Sequence, residues 1–410
     1  MREIEGGITA AIGFKASGIH CGIKEKKPDL ALIYSEYPAI ACGVFTTNKV
    51  KAAPVVLSQK KIRKGQARAI VANSGNANAC TGKRGFDDAK RMCEIAAREL
   101  GIDSEEVLVA STGIIGECLP MDKIEKGIKI AVSSLSYKGS HQAAEAILTT
   151  DKVVKELALE VDIPGQGKKK VKIGGIAKGS GMIAPNLATM LCFITTDACI
   201  TQDALKEALQ KAVNESFNQI SVDGDMSTND TVIVLANGKA GNRRIKTWRR
   251  KPTLRVEDEN FEKFYLALSY LCKHFAKSIV KDGEGVNRIF EVKVEGAPFP
   301  QDARRIARQV ANSNLVKTAI AGASPNWGRI IAALGSAHTK VKPEKVDVLI
   351  NGCLVLKNGQ SAGASLSSLR EVLSKEEIKI TIRCNQGNCQ TSFWGCDLTE
   401  RYVKINKRYI

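Results

Sequence analysis

Residues 178–194 constrain this chain more than any other stretch. Lys178, Gly179, Ser180 and Gly181 form a small-residue turn, Pro185 and Asn186 break the chain again, and Ala188 and Thr189 lead into Met190, Leu191, Cys192, Phe193 and Ile194. An apolar run bounded by Gly, Pro and Asn reads as a strand. Any fold that accepts it sets a β-branched hydroxyl at the mouth of a strand, behind a flexible approach. A threonine there has two readings. It can simply open the strand, as β-branched residues do. It can also be a nucleophile whose hydroxyl attacks the Ala188 carbonyl, breaks the chain and leaves Thr189 as a new N-terminus. The freed α-amine, with an ordinary pKa of about 7.7–8.0, then serves as base for the hydroxyl beside it.

The 410 residues are enough for a large core and two domains, and 44% hydrophobic with 25% charged residues fits an ordinary globular protein. No apolar run approaches the ~20 residues of a membrane helix. Met1 to Gly7 carry acids and no apolar h-region, so neither a signal peptide nor a membrane partner is expected, and the expected compartment is the cytoplasm. The 12 cysteines are scattered and read as buried thiols. Cys384, Cys389 and Cys396 make the tightest cluster but form no CxxC pair and have no histidine among them, and His20, His141, His274 and His338 are far apart. No metal site is expected.

The net charge of +18, from 61 Lys and Arg against 43 Asp and Glu, fits a nucleic-acid partner or anionic substrates steered by a positive field. The densest basic patches, residues 168–170 and 249–251, are short and lie in polar stretches that read as solvated turns. Trp248 is the one aromatic interleaved with them, so nucleic acid is not expected as a partner.

Helical and strand signals alternate, which gives an α/β or α+β class. Helices are predicted at about residues 87–100, 202–217, 261–280 and 302–312, and strands at 107–110, 232–235 and 289–294, the last with Phe290, Val292 and Val294 on its inner face. Residues 242–255 are basic, contain Pro252 and show no periodicity, so an exposed loop is expected. Residues 73–82 and 221–231 are rich in Gly, Asn, Asp and Ser and read as loops shaping a site, without the spacing of a phosphate-binding or dinucleotide fingerprint. Pro298 and Pro300 mark a soft domain boundary, giving a main domain of residues 1–298 and a smaller one of 299–410.

The segment ending in Ala188, Thr189, Met190 and Leu191 closely resembles the ornithine acetyltransferase (glutamate N-acetyltransferase) family of arginine biosynthesis. So do residues 73–82, Ser111-Thr112-Gly113, Thr149-Thr150-Asp151, residues 221–225 with 228–230, and residues 394–399, in the family's order and nearly end to end. The resemblance implies two mixed β-sheets sandwiched between helical layers, with a smaller C-terminal α/β domain completing the substrate pocket. It implies autocatalytic cleavage between Ala188 and Thr189, with Thr189 as the acyl-carrying nucleophile.

Thr112 and Gly113 resemble the family's oxyanion hole, although Ser-Thr-Gly alone is a common turn. Thr149 and Lys178 match substrate-binding positions. The Lys178 ammonium would hold the substrate carboxylate or bias the charge near the nucleophile, where a lysine beside glycines otherwise reads as a surface residue. Glu284 matches a family acid able to pair with the side-chain amine of ornithine, and otherwise reads as an exposed turn acid. Asn406 matches the C-terminal pocket asparagine. The family's Thr or Ser five residues further on has no counterpart, since the sequence stops at Ile410.

The implied reaction is ping-pong acetyl transfer from N-acetylornithine to glutamate through an acetyl ester on Thr189, with no metal or organic cofactor. Some members of the family also take acetyl-CoA as donor. The two cleaved chains are implied to stay together and to pair as an α2β2 heterotetramer. The nearest rival is a self-cleaving N-terminal-nucleophile aminopeptidase of the same fold, in which water replaces glutamate.

Overall fold

A computed structural model describes residues 1–164, 170–184, 190–247 and 259–407. It resolves into two compact units. The first is Met1–Gly179, Asn186–Asn218 and Met226–Ala276, and the second is Ser180–Pro185, Gln219–Asp225 and Lys277–Ile410.

Among the described residues, nine strands of the first unit join in one sheet. They are β1 (Arg2–Ile4), β2 (Phe14–Ile19), β3 (Leu30–Phe45), β4 (Gln66–Asn76), β5 (Val107–Ile114), β6 (Lys155–Val161), β7 (Val171–Lys178), β8 (Leu191–Thr196) and β9 (Thr231–Ala236). The order is β1-β6-β7-β8-β9-β3-β4-β5, with β2 paired to β3. The sheet is mixed: β8 runs antiparallel to β7 and parallel to β9, and β4 runs parallel to β5. Strand β3 is 16 residues long and shifts register between Tyr34 and Ala39. Before the shift it pairs with β2 and β4, and from Ile40 to Phe45 it pairs with β9.

The period of two along each strand explains the layering. Ile33 of β3, Ile70 of β4 and Leu108 of β5 share one core with Ile176 of β7, Phe193 of β8 and Ile233 of β9. Their neighbours Leu32, Val71 and Val109 face the other way, onto the helices Gly82–Leu100 and Met121–Ser133. Behind β7, a Cβ on Gly175 would stand 3.0 Å from the ring of Phe275, on the helix Glu259–Lys281. The two halves of the sheet therefore stack face to face between helices. The class is α/β with mixed sheets, as expected, and the two expected sheets are halves of one folded sheet carried across by β3.

The helix Gly82–Leu100 buries Ala89, Met92, Cys93 and Ala96 at helical spacing. It stops at Gly101, whose φ of 66° lets its N–H reach the carbonyls of Ala97 and Arg98. It starts earlier than residue 87 because the buried Asn78 side chain donates to the Gly85 carbonyl at 2.8 Å and seats the first turn. The 242–255 stretch is not wholly exposed: Ile245 is buried and bridges to Ile200, and the buried Asn242 amide accepts from the Cys199 N–H and donates to its carbonyl. Residues 248–255 of that stretch, the patch at 249–251, and Lys168 and Lys169 lie outside the described residues.

In the second unit, β10 (Ile289–Ala297), β11 (Asp347–Ile350), β12 (Cys353–Lys357), β13 (Gln360–Ser361), β14 (Glu377–Arg383) and β15 (Cys389–Cys396) form a sheet of order β13-β12-β11-β14-β10-β15. Strand β10 lies between β14, parallel, and β15, antiparallel. That pairing draws β10 into the second unit, so the unit begins before the Pro298–Pro300 break at which the sequence suggests a boundary. Phe290, Val292 and Val294 are buried with Ile306 and Val310 of the helix Pro300–Asn312, as the alternation predicts. All twelve cysteines are free thiols. Among the described residues no helix is long and apolar enough to cross a membrane.

Candidate active site

The site of the first unit is built from strand ends. Lys178 closes β7 opposite Leu191, which opens β8, and Leu191 lies opposite Thr231, which opens β9. Met190 is buried; its N–H donates to Asp230 Oδ1 at 3.0 Å and its carbonyl accepts from the Thr231 N–H at 3.1 Å. Ala188 and Thr189, the expected scissile pair and nucleophile, lie outside the described residues. Asp230 is fully buried, and among the described residues its Oδ2 has no hydrogen-bond partner. Burial pushes its carboxyl well above the usual range, against the opposing pull of the Met190 N–H. Next to it, the buried Asn229 amide donates to the carbonyls of Ala77 at 2.6 Å and Ser111 at 2.8 Å. That side chain ties the head of β9 to the end of β5, where Thr112 and Gly113 follow.

Thr112 is buried and Gly113 exposed. Gly113 has φ 136°, and a Cβ there would stand 2.2 Å from the Gly75 carbonyl carbon and 2.4 Å from the Asn76 nitrogen. Only glycine fits both the angle and the close approach of β4. Strand β4 runs through Asn73 to Asn76, where the composition suggests a loop. The polar residues stay in the strand because their side chains are satisfied. Asn73 accepts from Ser111 Oγ at 2.6 Å and donates to the Asn76 carbonyl, and Ser74 Oγ donates to the Ala146 carbonyl.

Lys178 is 1% exposed. Its ammonium donates to Thr149 Oγ1 at 2.6 Å and lies 3.7 Å from Asp151 Oδ2. Asp151 also binds Lys155 Nζ at 2.8 Å and accepts from the Gly179 N–H at 2.6 Å. Burial alone would raise its pKa; the Lys178 and Lys155 charges and these donors outweigh that and hold the carboxyl well below its ordinary range. The two lysines and Asp151 thus form a buried charge cluster against which Thr149 is fixed.

In the second unit, Glu284 is mostly buried and accepts from Asn406 Nδ2 at 2.9 Å. A Cβ on Gly181 would stand 2.6 Å from the Glu284 carboxyl carbon, so a larger residue there would displace that carboxylate. The Glu284 N–H donates to the Ser180 carbonyl at 2.8 Å. Glu284 is therefore a held, largely buried acid and not an exposed turn residue.

Residues 15–410 match the profile of the ArgJ family. The chain belongs to the ArgJ family. It is 48% identical over the full length of both chains to an arginine biosynthesis bifunctional protein ArgJ of Caldanaerobacter subterraneus subsp. tengcongensis. It is equally 48% identical to that of Thermotoga neapolitana, over 97% of this chain and 98% of the other. It is 44% identical to a crystal structure of ornithine acetyltransferase complexed with ornithine from Mycobacterium tuberculosis, over 46% of this chain and 99% of that one, with a TM-score of 0.42. The family that the motifs suggest is thus the family of the whole chain.

In this ArgJ chain the structure brings Lys178 and Thr149 together in the first unit, sets Thr112 and Gly113 at the end of β5 in the same unit, and pairs Glu284 with Asn406 in the second. Three residues of the first-unit site escaped the sequence reading. Asp151 stood inside the Thr149-Thr150-Asp151 motif, and its spacing to Lys155 hinted at a pair. Asp230 stood in a loop-like stretch with no assigned part. Lys24 carried no local signal; its Nζ donates to the Leu148 carbonyl, beside Thr149, at 3.0 Å.

Proposed function

We propose that this ArgJ-family acetyltransferase moves the acetyl group of N2-acetylornithine to glutamate through an ester on Thr189, after cutting itself between Ala188 and Thr189. The family match over residues 15–410 carries this reading.

In the first half-reaction Thr189 Oγ attacks the acetyl carbonyl while the Thr189 α-amine takes its proton. The oxyanion accepts from the Thr112 hydroxyl and the Gly113 N–H. The carbon–nitrogen bond then breaks, the proton passes to the leaving amine, and ornithine departs from an acetyl-Thr189 ester. In the second, the glutamate amine attacks that ester, the Thr189 amine again takes the proton, and Thr189 Oγ leaves with it. Thr149, Lys178, Glu284 and Asn406 contact substrate. Because Asp151 already balances Lys178, the part of Lys178 is to hold the Thr149 hydroxyl that meets substrate. The chemistry requires no metal or organic cofactor. The relatives are named bifunctional, and we infer acetyl-CoA as a second donor.

Scission would leave pieces of 188 and 222 residues. Strands β8 and β9 of the second piece lie in the sheet between β7 and β3 of the first, which supports lasting association of the two pieces. We infer an α2β2 assembly acting on soluble metabolites in the cytoplasm.

Initial rates with both substrates varied test the reading. Parallel double-reciprocal lines are expected, with acetyl loss dependent on glutamate. Acetylornithine breakdown indifferent to glutamate would instead identify a hydrolase.

A further inference from the structure

We propose that Lys24 binds the α-carboxylate of acetylornithine and of glutamate, and so selects α-amino-acid substrates; this rests on the acetyl-transfer reading above. Asp29, whose side chain is fully buried, accepts N–H bonds from Cys21 at 2.7 Å, Gly22 at 3.1 Å, Ile23 at 2.7 Å and Lys24 at 3.0 Å. The segment carrying Lys24 is therefore wound around one carboxylate and fixed. From there the side chain crosses the site. Its Cγ lies 3.0 Å from where a Cβ on Gly75 would stand, and Gly75 pairs with Gly113. Its Nζ reaches the Leu148 carbonyl, one residue before Thr149. Lys24 thus spans from the proposed oxyanion hole to the proposed substrate threonine.

The charges separate two lysines that the sequence does not. The Lys178 ammonium is matched by Asp151 within 3.7 Å. Lys24 is half-buried, and among the described residues no carboxylate lies within 4.0 Å of its Nζ. One of its donors is used by a neutral carbonyl, and an ammonium has three. Burial pushes its pKa down to about 8, opposed by Asp29 and reinforced by Lys27 and Lys178. A half-buried cation that, among the described residues, has spare donors and no carboxylate within 4.0 Å is the arrangement that an incoming carboxylate completes.

The test compares kcat/KM for N2-acetylornithine with that for its α-carboxamide, in wild-type, Lys24→Met and Lys24→Arg protein. Wild type should prefer the acid by roughly 10- to 100-fold, the range of a charge-assisted hydrogen bond. Lys24→Met should bring the ratio close to one, and Lys24→Arg should keep most of it. If Lys24→Met does not fold, the near-isosteric Lys24→Gln is read by the same ratio. A wild type without preference for the acid, or a Lys24→Met or Lys24→Gln protein that keeps the wild-type ratio, overturns the assignment. Those results differ from failure of the acetyl-transfer reading itself, in which wild type would move no acetyl group from acetylornithine to glutamate.

Discussion

Thr112 and Asp151 sit in the same unit and do opposite kinds of work. Thr112 is buried at a strand end, with its backbone held by β4 and its hydroxyl assigned to the oxyanion. Thr112→Ala removes that donor, so steady-state kinetics should show kcat lower by about 10²–10³ with KM nearly unchanged. A change in KM alone would reassign it to ground-state binding. Asp151 is structural: Asp151→Asn removes the carboxylate that pairs with the buried Lys178 and Lys155 ammoniums. Denaturant unfolding at neutral pH should show a loss of about 3–5 kcal/mol. The folded pKa of Asp151 lies below its unfolded value, so its contribution is complete above the unfolded value, about pH 4, and fades as pH falls through the folded one. The gap between wild type and variant should therefore close only in acid; a gap that closes toward alkaline pH would contradict the assignment. Thr112, Gly113, Thr149 and Lys178 were legible because they fall in short motifs with fixed chain order. Lys24 was not, because its neighbours are Gly75, Leu148 and Lys178, which only the folded sheet assembles.

Strand β8 is the element on which the account turns. It begins two residues after Thr189, pairs antiparallel with β7 from Ile173↔Thr196 to Lys178↔Leu191, and pairs parallel with β9 along its whole length. A cut before Thr189 would separate covalently what this pairing and the shared core of Ile176, Leu191, Phe193 and Ile233 hold together. Size exclusion under native conditions should give one peak containing both pieces, which separate only in denaturant. Pieces that part without denaturant would contradict the sheet order. Elements with a clear period were readable: the helix Gln202–Asn214 and strand β10 follow their apolar spacing. Strand β3 was not read as an element, because its 16 residues change pairing partners midway and no local pattern marks that change. The β4 end was misread because Asn73 and Ser74 look like loop residues until their partners Ser111 and Ala146 are known.

At the scale of the molecule, the sequence suggests two bodies, and the second compact unit takes in Lys277–Ile410. The Pro298–Pro300 break is local, whereas the division follows β10's pairing with β14 and β15, whose partner residues lie 88 to 107 positions later. The surplus of 18 positive charges also acts at this scale, as a field that favours anionic over neutral solutes. The whole account depends on one threonine becoming an N-terminus and then an ester. The measurement that tests it most directly is the intact mass and N-terminal sequence of the purified enzyme before and after brief exposure to acetylornithine without glutamate. The account predicts two polypeptides, the longer beginning Thr-Met-Leu and gaining the mass of one acetyl group. A single uncut chain with full activity, or an acetyl group found on any residue other than Thr189, would contradict it.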